Sequence, residues 1–302
     1  MTYSHGHPAY FYRTDRQYLD GIVPFLTESQ DPVAAAVPPA RLELLRTVVD
    51  PAAVTLIDMS VAGRNPGRII PGVMRAFADK HPDRHVRIVG EPIWAGRTAF
   101  EYPACAQHEA LINLAFAGRA VTILCPYDVS ALDAVAIADA RQNHPEIWEP
   151  ERRYTSKCYD PKAVIDRYNQ PLPCPGSAPD MIVSGPGDVG AARHLAAEKA
   201  ALLGLSPERI PDLELIATEL VTNGIAHGDS VCHMWLYRDE QSLICQTRDG
   251  GYIADPLAGR HPPQRGQFGG RGLLLVHQLC DLFRTHTTPG QTTQYAVLDL
   301  AG

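Results

Sequence analysis

Glu219, Asn223 and His227 stand four residues apart in the stretch Leu213–His227, LELIATELVTNGIAH. On a helix that spacing stacks a carboxylate, an amide and an imidazole in one column. In the same stretch Leu213, Ile216, Ala217, Leu220 and Val221 recur at helical spacing and predict a face turned into a core. At about 100° per residue the polar column borders that face instead of opposing it. Three such groups at the rim of a buried surface need polar partners. A hydrated cation held by a ligand would supply them, and Mg²⁺ suits the place because it favours oxygen ligands and keeps several waters.

Two more motifs follow in order. Asp249-Gly250-Gly251 ends a strand-like run, and Gly269-Gly270-Arg271-Gly272 opens an apolar helix. With Glu219-x-x-x-Asn223-x-x-x-His227 these resemble the N-box, the D-x-G box and the second glycine box of the GHKL ATPases, the superfamily of histidine-kinase ATP domains, gyrase and Hsp90. The wording ATELVTNGIAH is most similar to the anti-sigma-factor serine kinase branch. The resemblance implies ATP and Mg²⁺ as ligands. It implies that Asp249 accepts a hydrogen bond from the adenine amino group, that Gly251 lets the backbone pass close to the ring, and that Asn223 offers an oxygen to Mg²⁺. Gly270, Arg271 and Gly272 fall where the second glycine box meets phosphate, with backbone N–H groups exposed at a helix start. Thr292, in GQTTQYAV, matches a threonine that backs up the adenine-reading Asp, although Gln291 replaces a glycine of the family pattern.

In that branch the glutamate matching Glu219 is a general base toward a protein serine hydroxyl; a carboxylate there can also merely orient a water or the helix. His227 suits a supporting role beside the site. The partners implied are a sigma factor and/or an anti-anti-sigma protein. A nucleotide-gated interaction module without transfer chemistry and an atypical histidine kinase stay open as readings, as does a homodimer.

The elements that must position these groups can be read around them. Met181-Ile182-Val183 predicts a strand, 188–203 a helix stopping at Gly204, 231–237 and 243–247 a pair of alternating strands, 272–283 a helix and 294–300 a closing strand. Helices on one side of a mixed, mostly antiparallel sheet form an α+β sandwich, the GHKL fold. Between Asp249 and Gly269 lies a lid candidate with Arg260, His261, Arg265 and Gln267. An arginine there can neutralise phosphate or simply be solvated.

The front of the chain reads differently. Apolar runs at 54–59, 86–91 and 120–128 predict buried strands. They alternate with helices at 18–26, 40–49, 68–79, 104–117 and 130–142. That alternation predicts an α/β domain with a parallel sheet covered on both faces. The segments IDMSVAGRNPGRIIP, VGEPIWAGR, QHEALINLAFA and LCPYDVSALD resemble the MEDS sensory domain, a RecA-like relative found in bacterial regulators. The resemblance implies a sensory role and a small-molecule signal. Ligands of such sheets sit outside the carboxyl ends of the strands. Asp58 and Glu91 fall there with Tyr127-Asp128, and Arg64, Asn65, Trp94 and Arg97 lie in the following loops. Asp58, Glu91, Trp94 and Arg97 are therefore candidate ligand-pocket residues. The alternative is that Asp58 and Asp128 cap helices and Glu91 pairs with Arg97. With no G-x-x-x-x-G-K-[ST] motif, a P-loop ATPase is excluded here. His5 and His7 could bind a metal, but two histidines near a terminus usually have no specific role, and a metal site there is the lesser reading.

Prolines interrupt 156–180, which predicts a semi-stiff linker between a sensory domain at 1–155 and an ATPase domain at 181–302. The 302 residues are 45% hydrophobic and 20% charged, with a formal net charge of −7. That suits a soluble protein of two domains and argues against a nucleic-acid groove. No apolar run reaches ~18 residues, so no membrane span is expected. Seven scattered cysteines without C-x-x-C suggest thiols in a reducing cytoplasm. A redox or metal role for Cys158 and Cys174 is the lesser reading.

Overall fold

The computed structural model describes residues 5–173, 176, 178–228, 231–261 and 270–300. The chain divides into two units, residues 1–168 and 169–302.

Apolar runs bounded by turn residues form the first sheet. Its strands are β1 (Pro8–Tyr12), β2 (Val33–Val37), β3 (Val54–Asp58), β4 (Val86–Gly90), β5 (Val121–Asp128), β6 (Glu146–Glu149) and β7 (Arg152–Thr155). Their order is β3-β2-β4-β5-β1-β6-β7. Every pairing is parallel except β6 with β7, which is antiparallel. The expected α/β domain is therefore present. The strands at 8–12 and 33–37 were not predicted: β1 opens on a proline, and β2 reads VAAAV, where alanine has weak strand preference and only burial secures the element. β3 is an edge strand with one buried residue, not the buried strand expected.

The helices are α1 (Asp15–Thr27), α2 (Pro39–Arg46), α3 (Met59–Ala62), α4 (Ala76–Ala78), α5 (Tyr102–Ala115), α6 (Ala134–Asn143) and α7 (Pro161–Tyr168). The helix expected at 68–79 is a π-helical stretch, Ile69–Arg75, running into α4. Pro71 lies inside it and cannot donate to a regular ladder. Period-two alternation sends Tyr10, Tyr12, Val89 and Leu124 into a core with α1 and α2. Cys125 and Tyr127, of opposite parity to Leu124, meet α5 instead. Tyr102 of α5 and Tyr168 of α7 both donate to Asp139 of α6, and Arg167 pairs with the same carboxylate. Val164 of α7 packs on Ala106 and Ala110 of α5. Residues Pro161–Tyr168 of the expected linker at 156–180 are thus a helix docked on the first unit.

The second unit begins with three anchors. The Asn169 side chain donates to the Thr287 carbonyl (2.8 Å) and accepts from its N–H (2.9 Å). Leu172 N donates to Tyr295 Oη (3.2 Å), and Asp180 accepts from Leu236 N (2.8 Å). The elements are β8 (Met181–Val183), α8 (Val189–Leu203), α9 (Ile210–His227), β9 (Cys232–Asp239), β10 (Ser242–Asp249), α10 (Gly272–Leu279), β11 (Leu282–Thr288) and β12 (Gln291–Asp299). The sheet order is β11-β12-β10-β9-β8, and every pairing is antiparallel. The α+β sandwich is as expected. Its one surprise is β11. The apolar run read as a single helix to 283 breaks after Leu279, and threonines at 285, 287 and 288 favour the strand.

The core joins Ala192, Ala196 and Ala200 of α8, the apolar face of α9, Val276 of α10, and Met234, Leu243, Cys245 and Ala296 of the sheet. Small alanines on α8 let α9 lie close, so larger side chains from α9 fill the space above the strands. No helix among the described residues is long and apolar enough to cross a membrane. Leu220, fully buried at the centre of α9, is the test of this packing. Leu220→Ala should cost about 2–5 kcal/mol, read as a fall in the urea midpoint at unchanged slope.

Candidate functional site

α9 delivers the polar column as its sequence requires. Leu213, Ile216, Ala217, Leu220, Val221 and Gly224 are buried, which leaves Glu219, Asn223 and His227 along the rim of that face. Asn223 and His227 line a cleft of about 530 Å³. The same cleft is lined by Asp249, Gly251, Gly270, Gly272 and Thr292, drawn from the end of β10, the start of α10 and β12. Seven residues singled out in the sequence thus share one cavity, of a size suited to a small-molecule ligand.

Glu219 stands beside that wall. A Cβ at Gly272 would collide with its Oε2 and come within 3.4 Å of Asn223 Nδ2. Bare backbone at Gly272 is what lets α10 start against the column. Gly270 has φ +77°, in the left-handed region that favours glycine, and so turns the chain into that start. Arg271 is exposed at the N-cap position of α10 and does not line the cleft. Gly269, Arg265 and Gln267 lie outside the described residues.

Asp249 closes the other end of the cleft. Its Oδ1 accepts from Gly251 N at 2.8 Å. Gly224, Gly228 and Gly251 crowd around it: a Cβ at Gly228 would lie 2.9 Å from the Asp249 Cβ, and one at Gly251 would lie 2.8 Å from its Oδ1. Thr292 faces Asp249 across the β10–β12 ladder. Its Oγ1 donates to the Gly251 carbonyl at 3.1 Å and lies 2.8 Å from Thr287 Oγ1. Thr292 therefore fixes the Asp249-Gly250-Gly251 turn through Gly251. Gln291 opens β12 opposite Thr288 without disturbing that register. Thr287 had no assignment in the sequence: the first two residues of its strand, Leu282 and Phe283, read as the end of a helix, and the stretch from Arg284 to Thr288 carried no element. The period-two threonines were the available signal.

Of the lid arginines, Arg260 is buried and lies off the cleft wall, whereas His261 lines it. Burial pushes the Arg260 guanidinium down to about 10.

The strand-end acids of the first unit are not gathered into one ligand pocket. Asp58 caps α3, accepting from Ser60 N (2.8 Å) and Ser60 Oγ (2.6 Å). Glu91 is buried, and its Oε1 accepts from Tyr12 Oη at 3.2 Å. Arg97 donates to the carbonyls of Pro92, Arg64 and Gly63, pairs with Glu101 and stacks over Trp94 at 4.2 Å. Of the expected set, Trp94 and Arg97 stand together, whereas Asp58 is taken up by its own helix start and Glu91 by Tyr12. Glu91 does not pair with Arg97 either. Its charged neighbour is Arg41, whose guanidinium lies over the Tyr12 and Tyr18 rings. The broad cleft of this unit, about 1280 Å³, opens instead beyond β1, β5 and β6, where Phe11, Arg13, Arg141 and Cys158 line it.

A five-stranded antiparallel sheet with three helices packed on it and a glycine-framed cleft beside α9 is the nucleotide-binding sandwich that the motifs predict. Residues 182–297 match the family model of the histidine kinase-like ATPase domain. Residues 6–145 match that of MEDS, the MEthanogen/methylotroph, DcmR Sensory domain. The chain is a MEDS domain fused to a histidine kinase-like ATPase domain, and so a signalling regulator that binds ATP. Among solved structures, the histidine kinase AdeS of Acinetobacter baumannii is similar at 13% identity with a TM-score of 0.27, over 67% of this chain and 98% of that one. No curated protein gives a significant match.

Glu91 offers a check on the first unit. Burial raises its carboxyl from 4.5 to about 8, against the lowering effect of Arg41. A raised folded-state value means the folded chain holds the proton longer than the unfolded chain. The stabilisation is full below pH 4.5 and is lost as pH rises through about 8. Glu91→Gln keeps the neutral shape without the titration. Its melting temperature should gain on that of the unmodified chain steadily across this window, and a constant difference would refute the assignment.

Proposed function

We propose that the chain is an ATP-dependent protein serine kinase that acts as an anti-sigma factor on an anti-anti-sigma partner, under control of its MEDS domain. The observation that carries this reading is the juxtaposition of Glu219 with Asn223 and the bare start of α10 at one end of the cleft. Phosphoryl transfer depends mainly on positioning and charge stabilisation, with a carboxylate to orient the nucleophile.

The donor set fits ATP. Asp249 offers a carboxylate oxygen to an adenine amino group, and the bare Gly251 lets the turn pack against the His227 carbonyl and Asp249 Oδ1, which holds that carboxylate in place. Asn223 offers a neutral oxygen, the ligand type that Mg²⁺ prefers. Gly270 and Gly272 present bare backbone at the start of α10, where negative charge is favoured. When bound, ATP supplies the transferable phosphoryl group. Glu219 takes the proton of the serine hydroxyl, and His227 flanks the opening of the cleft. In the MEDS domain, the cleft beyond β1, β5 and β6 is the place for a small-molecule signal, since parallel sheets bind ligands at their carboxyl ends. The work is cytoplasmic in this reading.

One observation favours a second reading. Glu219 lies behind Gly272 and not on the cleft wall, a position that also suits a carboxylate fixing the helix start. The chain would then be a nucleotide-gated interaction module without transfer.

Two measurements separate these readings and test the site. Asp249→Asn presents a donor where the adenine amino group needs an acceptor. Calorimetric titration should show its preference for ATP over GTP reduced; an unchanged preference removes Asp249 from adenine recognition. Glu219→Ala should keep ATP affinity and lose transfer of labelled phosphate to the partner by roughly 10²-fold or more. Asn223→Ala should weaken Mg-ATP binding itself. Full-rate transfer by Glu219→Ala eliminates it as the base, and no transfer by the unmodified chain to any bound partner leaves the gated module.

A further inference from the structure

Four side chains distant in sequence converge in the core of the MEDS domain, away from both clefts. His7 precedes β1, Glu109 lies on α5, Cys125 on β5, and His144 follows α6. All four are fully or almost fully buried, and one potential ligand atom from each lies within 4.8 Å of the others. His144 Nε2 is 3.0 Å and His7 Nε2 3.6 Å from Glu109 Oε2, and Cys125 Sγ is 3.4 Å from His7 Nε2.

The outward hydrogen bonds fix which ring nitrogens face inward. His144 Nδ1 is 2.7 Å from the Ala140 carbonyl, which only accepts, so Nδ1 carries the proton. His7 Nδ1 is 3.1 Å from Asn113 Oδ1. The Asn113 amide nitrogen donates to the carbonyls of Ala110 and Asn143, which fixes its oxygen as the acceptor toward His7. In its neutral form each imidazole therefore turns an Nε2 lone pair inward, toward a carboxylate and a sulfur. Among the described residues, Glu109 Oε1 has no hydrogen-bond partner, and His144 Nε2 has only the Glu109 carboxylate beside it. Lone pairs converging in a fully buried cluster need a proton or a metal cation between them.

We propose that His7, Glu109, Cys125 and His144 form a closed four-ligand site for a divalent transition-metal ion of the zinc class. Metal bonds of about 2.0–2.3 Å place tetrahedral ligand atoms about 3.3–3.7 Å apart; the three contacts at 3.0, 3.4 and 3.6 Å lie near that range, and the whole set, within 4.8 Å, would draw in slightly on binding. Two imidazoles, a thiolate and a carboxylate suit a borderline-soft ion over Mg²⁺ or Ca²⁺. The Nδ1–H bonds to Ala140 and Asn113 orient the rings as metal-bound histidines commonly are, and Tyr127 Oη donates to Glu109 Oε2 at 3.2 Å. Binding releases the Cys125 thiol proton to solvent. With four protein ligands no position is left open for a substrate, so the ion ties β1, β5, α5 and the end of α6 together.

The test uses the full chain, expressed without a histidine tag and assayed for metal as isolated. One zinc per chain is expected. The chain is then stripped with a chelator and loaded with Co²⁺ alone, which should give tetrahedral d–d bands and a thiolate-to-cobalt absorption. Cys125→Ser should lose that absorption, whereas Cys158→Ser, at an exposed thiol, should keep it. X-ray absorption of the unmodified zinc form needs no variant and should show one sulfur among four ligands. A chain that takes up neither metal overturns the proposal. So does a bound metal whose shell lacks sulfur, or a thiolate band that survives Cys125→Ser. None of these readings depends on ATP.

Discussion

Burial of one face of α9 is the constraint on which the ATPase domain depends. The helix must press Leu213, Ile216, Leu220 and Val221 onto the sheet, and this fixes its rotation. Once the rotation is fixed, so is the direction of Glu219, Asn223 and His227. A polar column at the rim of a packed face is held rigid by apolar contacts it does not make itself. That is how a site of water-loving groups acquires defined geometry without a lattice of salt bridges around it. The opposite wall follows the same economy: the β10–β12 ladder sets Asp249 against Thr292, and glycines remove whatever would intrude.

This arrangement was legible because its parts are short-range. Helical spacing, a strand end and a glycine cluster are each written within a few residues. The folding of the chain only had to bring three such pieces to one cleft. Thr287 was hidden because VHQLCDLF reads equally well as helix or strand, and the choice is made by pairing with β12. In the MEDS domain the parallel sheet was visible in the spacing of apolar runs, yet VAAAV was not, since its alanines become a strand only between β3 and β4.

Function in the MEDS domain was harder to read for a different reason. Acids at strand ends suggested a shared ligand, but a carboxylate next to free N–H groups is satisfied more cheaply by its own loop, as Asp58 is by Ser60. Conversely, His7, Glu109, Cys125 and His144 show no spacing at all along the chain. His7 stood out only as one of two histidines near the terminus, where a metal was the lesser reading, and nothing local marks Cys125 within an apolar strand. Only the adjacency of β1 and β5, with α5 laid over them, makes the four into a group.

The three anchors at the start of the ATPase domain change what the proline-bearing stretch before β8 can do. Asn169 is held to β11, Leu172 to Tyr295 and Asp180 to β9. A segment fastened at both ends to one sheet is a closed loop, and its reach no longer grows with its length. Adding residues between Leu172 and Asp180 would enlarge that loop at a cost rising only with the logarithm of its size. It would leave unmoved the place where the chain joins the sheet. The stretch is a buckle and not a tether.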